Sequence, residues 1–590
     1  MVLCNVFPGP GVSWRCGRGK AYCSQIFGSR PVNLSQKGKR PMDPEAIGQT
    51  MLELCSIPSI SESVGEGMMA DKVCQILGEL DYFKQNPELV RKCTIESDEF
   101  GRAFVYGLLK RPGAGKKTVI LMGHLDVVGL DGFGNEAELA FSPIEYTEYL
   151  RNHPEVQLDD DARADLATGE WLFGRGVMDM KFGLAACLEA MRQADLGTDD
   201  LDGNLLFLGV PDEEANSVGM RAAVDTLLQL RKEHDLEYEC CLVTEPQFRG
   251  SADADVRYLY NGTVGKLLPV FYCVGSVTHV ANPFAGLNPD VLTAKIVQEI
   301  DLNPKLCDTS HGEVTPVPIC LKQGDTKTAY NVQTPYAAYA YFNWMTLTKT
   351  PQQVMATMKG IAQEAFVETL ADNRKKAEEY YAMVGQEVDL PEFTPKVVTY
   401  QELYQMCVDA HGEKFEAHIR DFMSQSTTVD MREATREVVA EVHEFCPYKD
   451  PMIILCFAPP FYPHTDVPDE SSRIAELSRH LVDHAQAKFN EDTQIVHFFP
   501  GLSDMSYLGL SDQVDTEELE KNFPVWDAGY TIPLVSLKQL RVPVINVGPV
   551  GKDPHKNTER LWMPYAFDVA APLIWETVRY GLLDDEGRQE

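Results

Sequence analysis

The chain has 590 residues, enough for two or more domains or for one large domain carrying an insertion. Hydrophobic residues make up 44% and charged residues 24%, a globular composition too apolar for a disordered chain. Fifty-three Lys plus Arg stand against 88 Asp plus Glu, a formal charge of −35 that repels nucleic-acid phosphates and anionic lipid, and no run approaches the roughly 18 apolar residues of a spanning helix. Neither nucleic acid nor membrane is expected as a partner.

Residues 1–41 carry seven basic residues and no acid, without the continuous apolar core of a secretory signal. They read as an extension, whether a leader, a disordered tail or a stretch upstream of a start at Met42. The 15 cysteines form no CxxC pair, which predicts reduced thiols and a cytoplasmic protein. From Met42 onward, residues 44–55 and 66–80 read as amphipathic helices and Lys117–Met122 as a short buried strand. Leu184–Arg192 reads as helix, Asn204–Val210 as strand, Met220–Leu230 as helix and Cys240–Val243 as strand. Strands separated by helices predict an α/β domain with a largely parallel central sheet.

The texture changes after about Tyr258. Val264–Val274 and Tyr336–Leu347 read as strands, Pro289–Ile300 and Gln352–Leu370 as helices, which predicts a small α+β layer inserted into the larger domain. Residues 372–396, charged and Pro-bearing, read as a return linker. Pro451–Phe457 and Val542–Val547 resume the buried-strand texture, and Phe567–Tyr580 reads as a closing helix. The expected plan is an extension over 1–41, a catalytic domain built from 42–257 and 391–590, and an inserted layer over 258–390.

Ligand-type residues follow the predicted strands. Gly123–His124–Leu125–Asp126 comes directly after the strand ending at Met122, and in open α/β sheets ligands bind outside the carboxyl ends of strands. Strand 204–210 runs into Pro211–Asp212–Glu213–Glu214, strand 240–243 into Thr244–Glu245–Pro246, and strand 542–547 is followed by a Gly/Pro loop and Pro554–His555–Lys556. Gly174 through Lys181, containing Asp179, precedes the helix at 184. Two His and three carboxylates therefore converge on one sheet edge, which predicts a metal site. Imidazole plus carboxylate without thiolate suits Zn²⁺, with Mn²⁺ or Co²⁺ able to replace it. Five ligands exceed the roughly three of one catalytic zinc, so two metals sharing a carboxylate are expected. Such a pair activates water and polarises a carbonyl, and one carboxylate of the Glu213–Glu214 pair remains as general base.

Taken in order, these residues resemble the dizinc metallopeptidases and amidohydrolases that include aminoacylase, carboxypeptidase G, acetylornithine deacetylase and succinyl-diaminopimelate desuccinylase. The pattern is His124-x-Asp126, then Gly174–Arg175–Gly176 with Asp179 and Lys181, then Glu213–Glu214, Glu245 and the late His555, spread from about residue 45 to the C-terminus. Ala458 through His464 and Tyr330 through Pro335 resemble the arginine-utilisation (RocB-type) branch. The resemblance implies a three-layer α/β catalytic domain with an inserted, ferredoxin-like lid and dimerisation domain. It also implies that Asp179 bridges two metals with a cis peptide to Met180, that His124 and Glu245 complete one metal, and that Glu214 and His555 complete the other. Asp126 would orient His124, and Glu213 would be the general base. His279, in Gly275–Ser276–Val277–Thr278–His279, would stabilise the oxyanion, often from a neighbouring subunit. Asn331 matches a substrate-contacting Asn.

The implied activity is hydrolysis of an amide bond in a small N-acylated amino acid, peptide or related amide, with a possible homodimer through the lid. The alternatives are a dipeptidase or aminopeptidase of the same family and a non-catalytic metal-binding scaffold. One departure stands out. Members that grip a substrate carboxylate often have Asp/Asn-x-Arg at a lid strand end, and here Asn343–Trp344–Met345 supplies no bidentate guanidinium. Trp344 and Met345 read as lid core, and Gly501–Leu502–Ser503–Asp504 as a pocket-shaping turn that does not ligate metal.

Overall fold

The computed structural model describes residues 42–96, 98–111, 115–197, 201–248, 256–465 and 471–583. The extension over 1–41 lies outside them. The first helix, α1 (Pro44–Cys55), starts where the Asp43 side chain accepts from the Glu45 amide and proline fills the first turn. Its apolar face, Ile47, Met51, Leu54 and Cys55, is buried. Ser63 and Glu66 form a capping box at the start of α2 (Val64–Gly78).

Strands β1 (Val90–Thr94), β2 (Ala103–Leu109) and β3 (Lys117–His124) follow. Helix α3 (Phe182–Asp195) leads to β4 (Asn204–Val210), and α4 (Val218–Glu233) to β5 (Glu237–Val243) and β6 (Val256–Tyr260). The chain then enters a second layer with β7 (Pro269–Val274), α5 (Pro289–Ile300), β8 (Ile319–Asp325), β9 (Ala337–Thr346), α6 (Pro351–Val384), β10 (Val397–Thr399) and β11 (Met452–Phe457). It returns through α7 (Arg473–Phe489), β12 (Asp492–Val496), β13 (Val544–Asn546) and α8 (Ala571–Leu582).

The large sheet runs β1-β2-β4-β3-β5-β13-β6-β12. Its centre, β4-β3-β5-β13, is parallel throughout, and β1 and β2 extend it antiparallel. Every residue of β2 and β4 is buried, as strands covered on both faces require, and α3 and α8 pack on β3. The second sheet runs β8-β9-β7-β11-β10.

The structure departs from the sequence reading in two places. Strand β11 pairs antiparallel with β7 and parallel with β10, so the stretch from 391 to 457 belongs to the second layer and not to the catalytic sheet. Its six residues, Met-Ile-Ile-Leu-Cys-Phe, are all buried, and a strand covered on both faces looks alike in either sheet. The expected linker over 372–396 is helical through Val384. A Thr350–Gln353 capping box starts α6, and the first glycine able to close it in the left-handed region is Gly385, at φ 68°. The charged residues in between are good helix formers.

Candidate metal centre

Five chain segments deliver the site. β3 ends in His124, β4 runs into Asp212, Glu213 and Glu214, β5 runs into Glu245, and the turn 174–181 between strand Trp171–Phe173 and α3 carries Asp179. His555 follows the short strand Val550–Lys552, part of a small four-stranded sheet beyond β13. Two glycines make the approach possible. Gly176 has φ 76°, and a Cβ there would sit 2.7 Å from Val127 Cγ1. At Gly548 a Cβ would collide with the Glu245 carbonyl, so the last segment can lie against the Glu245 backbone only without a side chain. The peptide between Asp179 and Met180 is cis.

Asp179 sits between the two histidines. Its Oδ1 is 3.0 Å from His124 Nε2 and its Oδ2 3.5 Å from His555 Nε2, while Glu214 Oε2 is 3.0 Å from the same His555 nitrogen. The ligand atoms of His124, Asp179 and Glu245 all lie within 4.8 Å of one another, and so do those of Asp179, Glu214 and His555. Two three-ligand groups thus share one carboxylate. Glu213 belongs to neither.

Asp126 organises the surroundings. Its carboxylate accepts from the amides of Glu213 (3.1 Å) and Glu214 (3.2 Å) and from Ser61 Oγ (2.7 Å), which orients the glutamate pair. His124 Nδ1 lies 3.1 Å from the Asp126 backbone carbonyl and 3.6 Å from its carboxylate, so the nearer acceptor for that nitrogen is the backbone. Ser503 Oγ donates to Glu245 Oε1 at 3.4 Å.

Burial sets the electrostatics. It pushes Glu245 up to about 8, with Asp179 and Glu214 adding, and drives Glu213 well above the usual carboxylate range, with Glu245 adding. Asp504, buried beside them, is pushed up to about 7. Burial also opposes ionisation of Asp179, but hydrogen bonds from His124 and His555 outweigh it and hold that carboxyl low. The hydrogen bonds to Asp179 and Glu214 lift His555 to about 10. So many buried carboxylates around two imidazoles form a donor set that divalent cations neutralise and that fits a pair of metal ions bridged by Asp179.

His279 and Asn331 stand elsewhere. Both are exposed, on two loops of the second layer joined by a bridge between His279 and Gln333. Asn331 Oδ1 accepts from Lys327 Nζ at 2.7 Å, and His279 Nδ1 accepts from the Ala281 amide at 3.1 Å. The structure brings these two together, while their hydrogen bonds stay within the second layer. Trp344 is buried, and Met345 packs with Val264, Leu347 and Phe498. Trp344 belongs to the core, and Met345 covers the edge of a small apolar cluster.

Two cations in the motif 174–181 have roles that the sequence reading left unassigned. Arg175 pairs with Glu559 in the interior, and its other amino group donates to the carbonyls of Gly129 and His555, both at 3.1 Å. The buried Lys181 ammonium donates to Ser59 Oγ at 2.8 Å and to the Leu125 carbonyl, bracing the 124–126 turn from behind. The signal available in the sequence was their place inside a dense Gly-Arg-Gly-x-x-Asp-x-Lys run. Their partners lie up to 384 residues away.

Residues 120–516 match the model of peptidase family M20/M25/M40. The chain belongs to this family. The RocB-type branch is among its relatives: Protein RocB of Bacillus subtilis is 32% identical, covering 91% of this chain and 95% of that protein. The uncharacterised protein YqjN of the same organism is 35% identical, covering 90% and 95% respectively. A succinyl-diaminopimelate desuccinylase of Psychrobacter arcticus is 27% identical over 49% of this chain and 63% of that enzyme. Among solved structures, a tripeptidase of Staphylococcus aureus superposes with a TM-score of 0.50 at 12% identity, covering 92% of this chain and all of that one, a likeness of fold. The chain is a metallohydrolase of the M20/M25/M40 family, with an α/β fold around a large, centrally parallel sheet. No described helix is long and apolar enough to cross a membrane.

Proposed function

We propose that this M20-family chain hydrolyses the amide bond of a small N-acylated amino acid, peptide or related amide, using two zinc ions that manganese or cobalt can replace. The observation that carries the reading is the shared carboxylate: Asp179 belongs to both ligand groups, and Glu213 stands beside them uncommitted to either. His124 and Glu245 would hold one ion with Asp179, and Glu214 and His555 the other. When bound, such a pair polarises the amide carbonyl and makes a nearby water acidic.

The chain's own residues do the rest. Glu213 takes the proton of the attacking water and passes it to the leaving nitrogen. Asp126 holds the Glu213 amide and so fixes where that carboxylate can reach. His279 and Asn331, exposed on the second layer, serve the site of a second copy, where the imidazole donates to the developing oxyanion and the amide contacts substrate. Strand β8 supports such a pairing: it is an edge strand, exposed along most of its length, and it carries Ile319 and Leu321 on the surface. With Trp344 buried and Met345 packed on Val264, Leu347 and Phe498, no guanidinium of that strand end grips a substrate carboxylate, which favours amides whose amine side lacks a free α-carboxylate. The desuccinylase named above acts, by its name, on a succinylated amine.

Elemental analysis of protein purified without a metal-affinity tag tests the reading. Asp179→Ala is expected to hold about two fewer equivalents than the unchanged chain, because one carboxylate serves both ions. An unchanged metal content in that variant would remove the dinuclear assignment.

A further inference from the structure

Outside the catalytic cluster, one other group of imidazole and carboxylate ligands converges among the described residues. His480 and His484 sit four positions apart on α7, hence on one face of the helix, and Glu576 reaches them from α8. Their ligand atoms all lie within 4.8 Å of one another. His480 Nε2 is 2.8 Å from Glu576 Oε1, an ordinary hydrogen bond. His484 Nδ1 is 3.7 Å from the same oxygen, too far for one. Ligands held at about 2.0 Å from one tetrahedral ion stand roughly 3.3 Å apart, a spacing that the two distances to Glu576 bracket.

The surroundings prepare two of the ligands. Arg579 donates to the other oxygen of Glu576 at 2.9 Å, leaving Oε1 to face the imidazoles. The ring of His480 stacks on Tyr580 at 3.9 Å with 12° between planes, which fixes its orientation. The three side chains are 30%, 20% and 11% exposed, so water can reach a fourth position.

We infer that His480, His484 and Glu576 form a second, separate metal site for one zinc-type divalent ion, with water as its fourth ligand. Its place in the fold gives it a structural role. Helix α7 is the first helix after the chain leaves the second layer, and α8 is the last described helix, so one ion ties the returning segment to the C-terminal end of the catalytic layer. The site needs none of the catalytic ligands.

The test uses the full chain, stripped with a chelator and dialysed against excess zinc. His484→Gln removes one ligand and keeps a good helix former, and it is expected to bind about one zinc equivalent less than the unchanged chain. Crystals of the unchanged chain grown with zinc should show an anomalous peak bounded by His480, His484 and Glu576. Equal zinc content in the two proteins, or zinc-soaked crystals without that peak, overturns the inference. Loss of zinc in Asp179→Ala reports the catalytic pair and loss in His484→Gln reports this site, so either can fail without the other.

Discussion

The two largest sheets of this molecule treat polar groups in opposite ways. At the carboxyl ends of β3, β4 and β5, charged side chains are drawn inside: His124, Asp126 and Asp212 are almost wholly buried, and Asp179 and Glu245 nearly so. In the second layer the inner strands are apolar, with every residue of β7 and β11 buried, while His279 and Asn331 stand in solvent on loops. The first arrangement fixes ligands before substrate arrives, because neighbouring buried charges leave each carboxylate few alternative positions. The second leaves its polar residues free to meet another surface. On the reading proposed above, the difference separates a site that is built from one that is completed by contact.

The sharpest way to break that comparison is Glu213→Gln. It removes the base and leaves every ligand in place, so kcat should fall by about 10²–10⁴ with metal content unchanged. Turnover near that of the unchanged chain would return Glu213 to a structural role. His279→Ala tests the other side. If the loop histidine serves a neighbouring subunit, kcat should fall by roughly 10²–10³, and mixing this variant with the Glu213→Gln chain should restore part of the activity, because mixed dimers hold one intact site. Failure of the mixture to regain activity, with both proteins dimeric, would place His279 outside the reaction.

A smaller effect concerns stability alone. His443, buried against Tyr336 in the second layer, is held by burial down to about 4 and stays neutral when folded. An unfolded chain protonates that ring near 6.5, so it binds more protons than the folded chain between the two values. Folding is therefore weakened as pH falls from about 6.5 toward 4, by about 2 kcal/mol at pH 5 relative to pH 7. His443→Gln should flatten that part of the profile, read as a smaller drop in Tm between pH 7 and pH 5. An identical drop in both proteins would show that this ring does not titrate against folding.

The residues of the two candidate ligand groups were legible in the sequence because each follows a short buried strand or sits in a glycine-bearing turn, where local pattern and chemistry coincide. His124 comes at the end of β3, Glu213 and Glu214 shortly after β4, and Glu245 just after β5. What braces them was less legible. Glu559 explains why position 175 is an arginine, yet nothing near either residue announces the other. The amphipathic helices between Tyr400 and Glu444 and the placement of β11 were hidden for a related reason. A helix face or a buried strand declares that it is covered and leaves open by what. The edge pairing of β1 and β2, exposed and buried in turn, was missed because β1 alternates weakly.

His555 enters the sequence 310 positions after Glu245, with the whole second layer lying between them. A polypeptide still on the ribosome has presented four of the five candidate ligands before that layer begins, and the fifth emerges only after it. Until then Glu214 lacks its imidazole partner, and Arg175 lacks both the His555 carbonyl and Glu559. A prematurely terminated product would therefore carry an acid-lined cleft without the group that closes it. Maturation of the candidate centre is thereby coupled to arrival of the segment that carries His555 and Glu559.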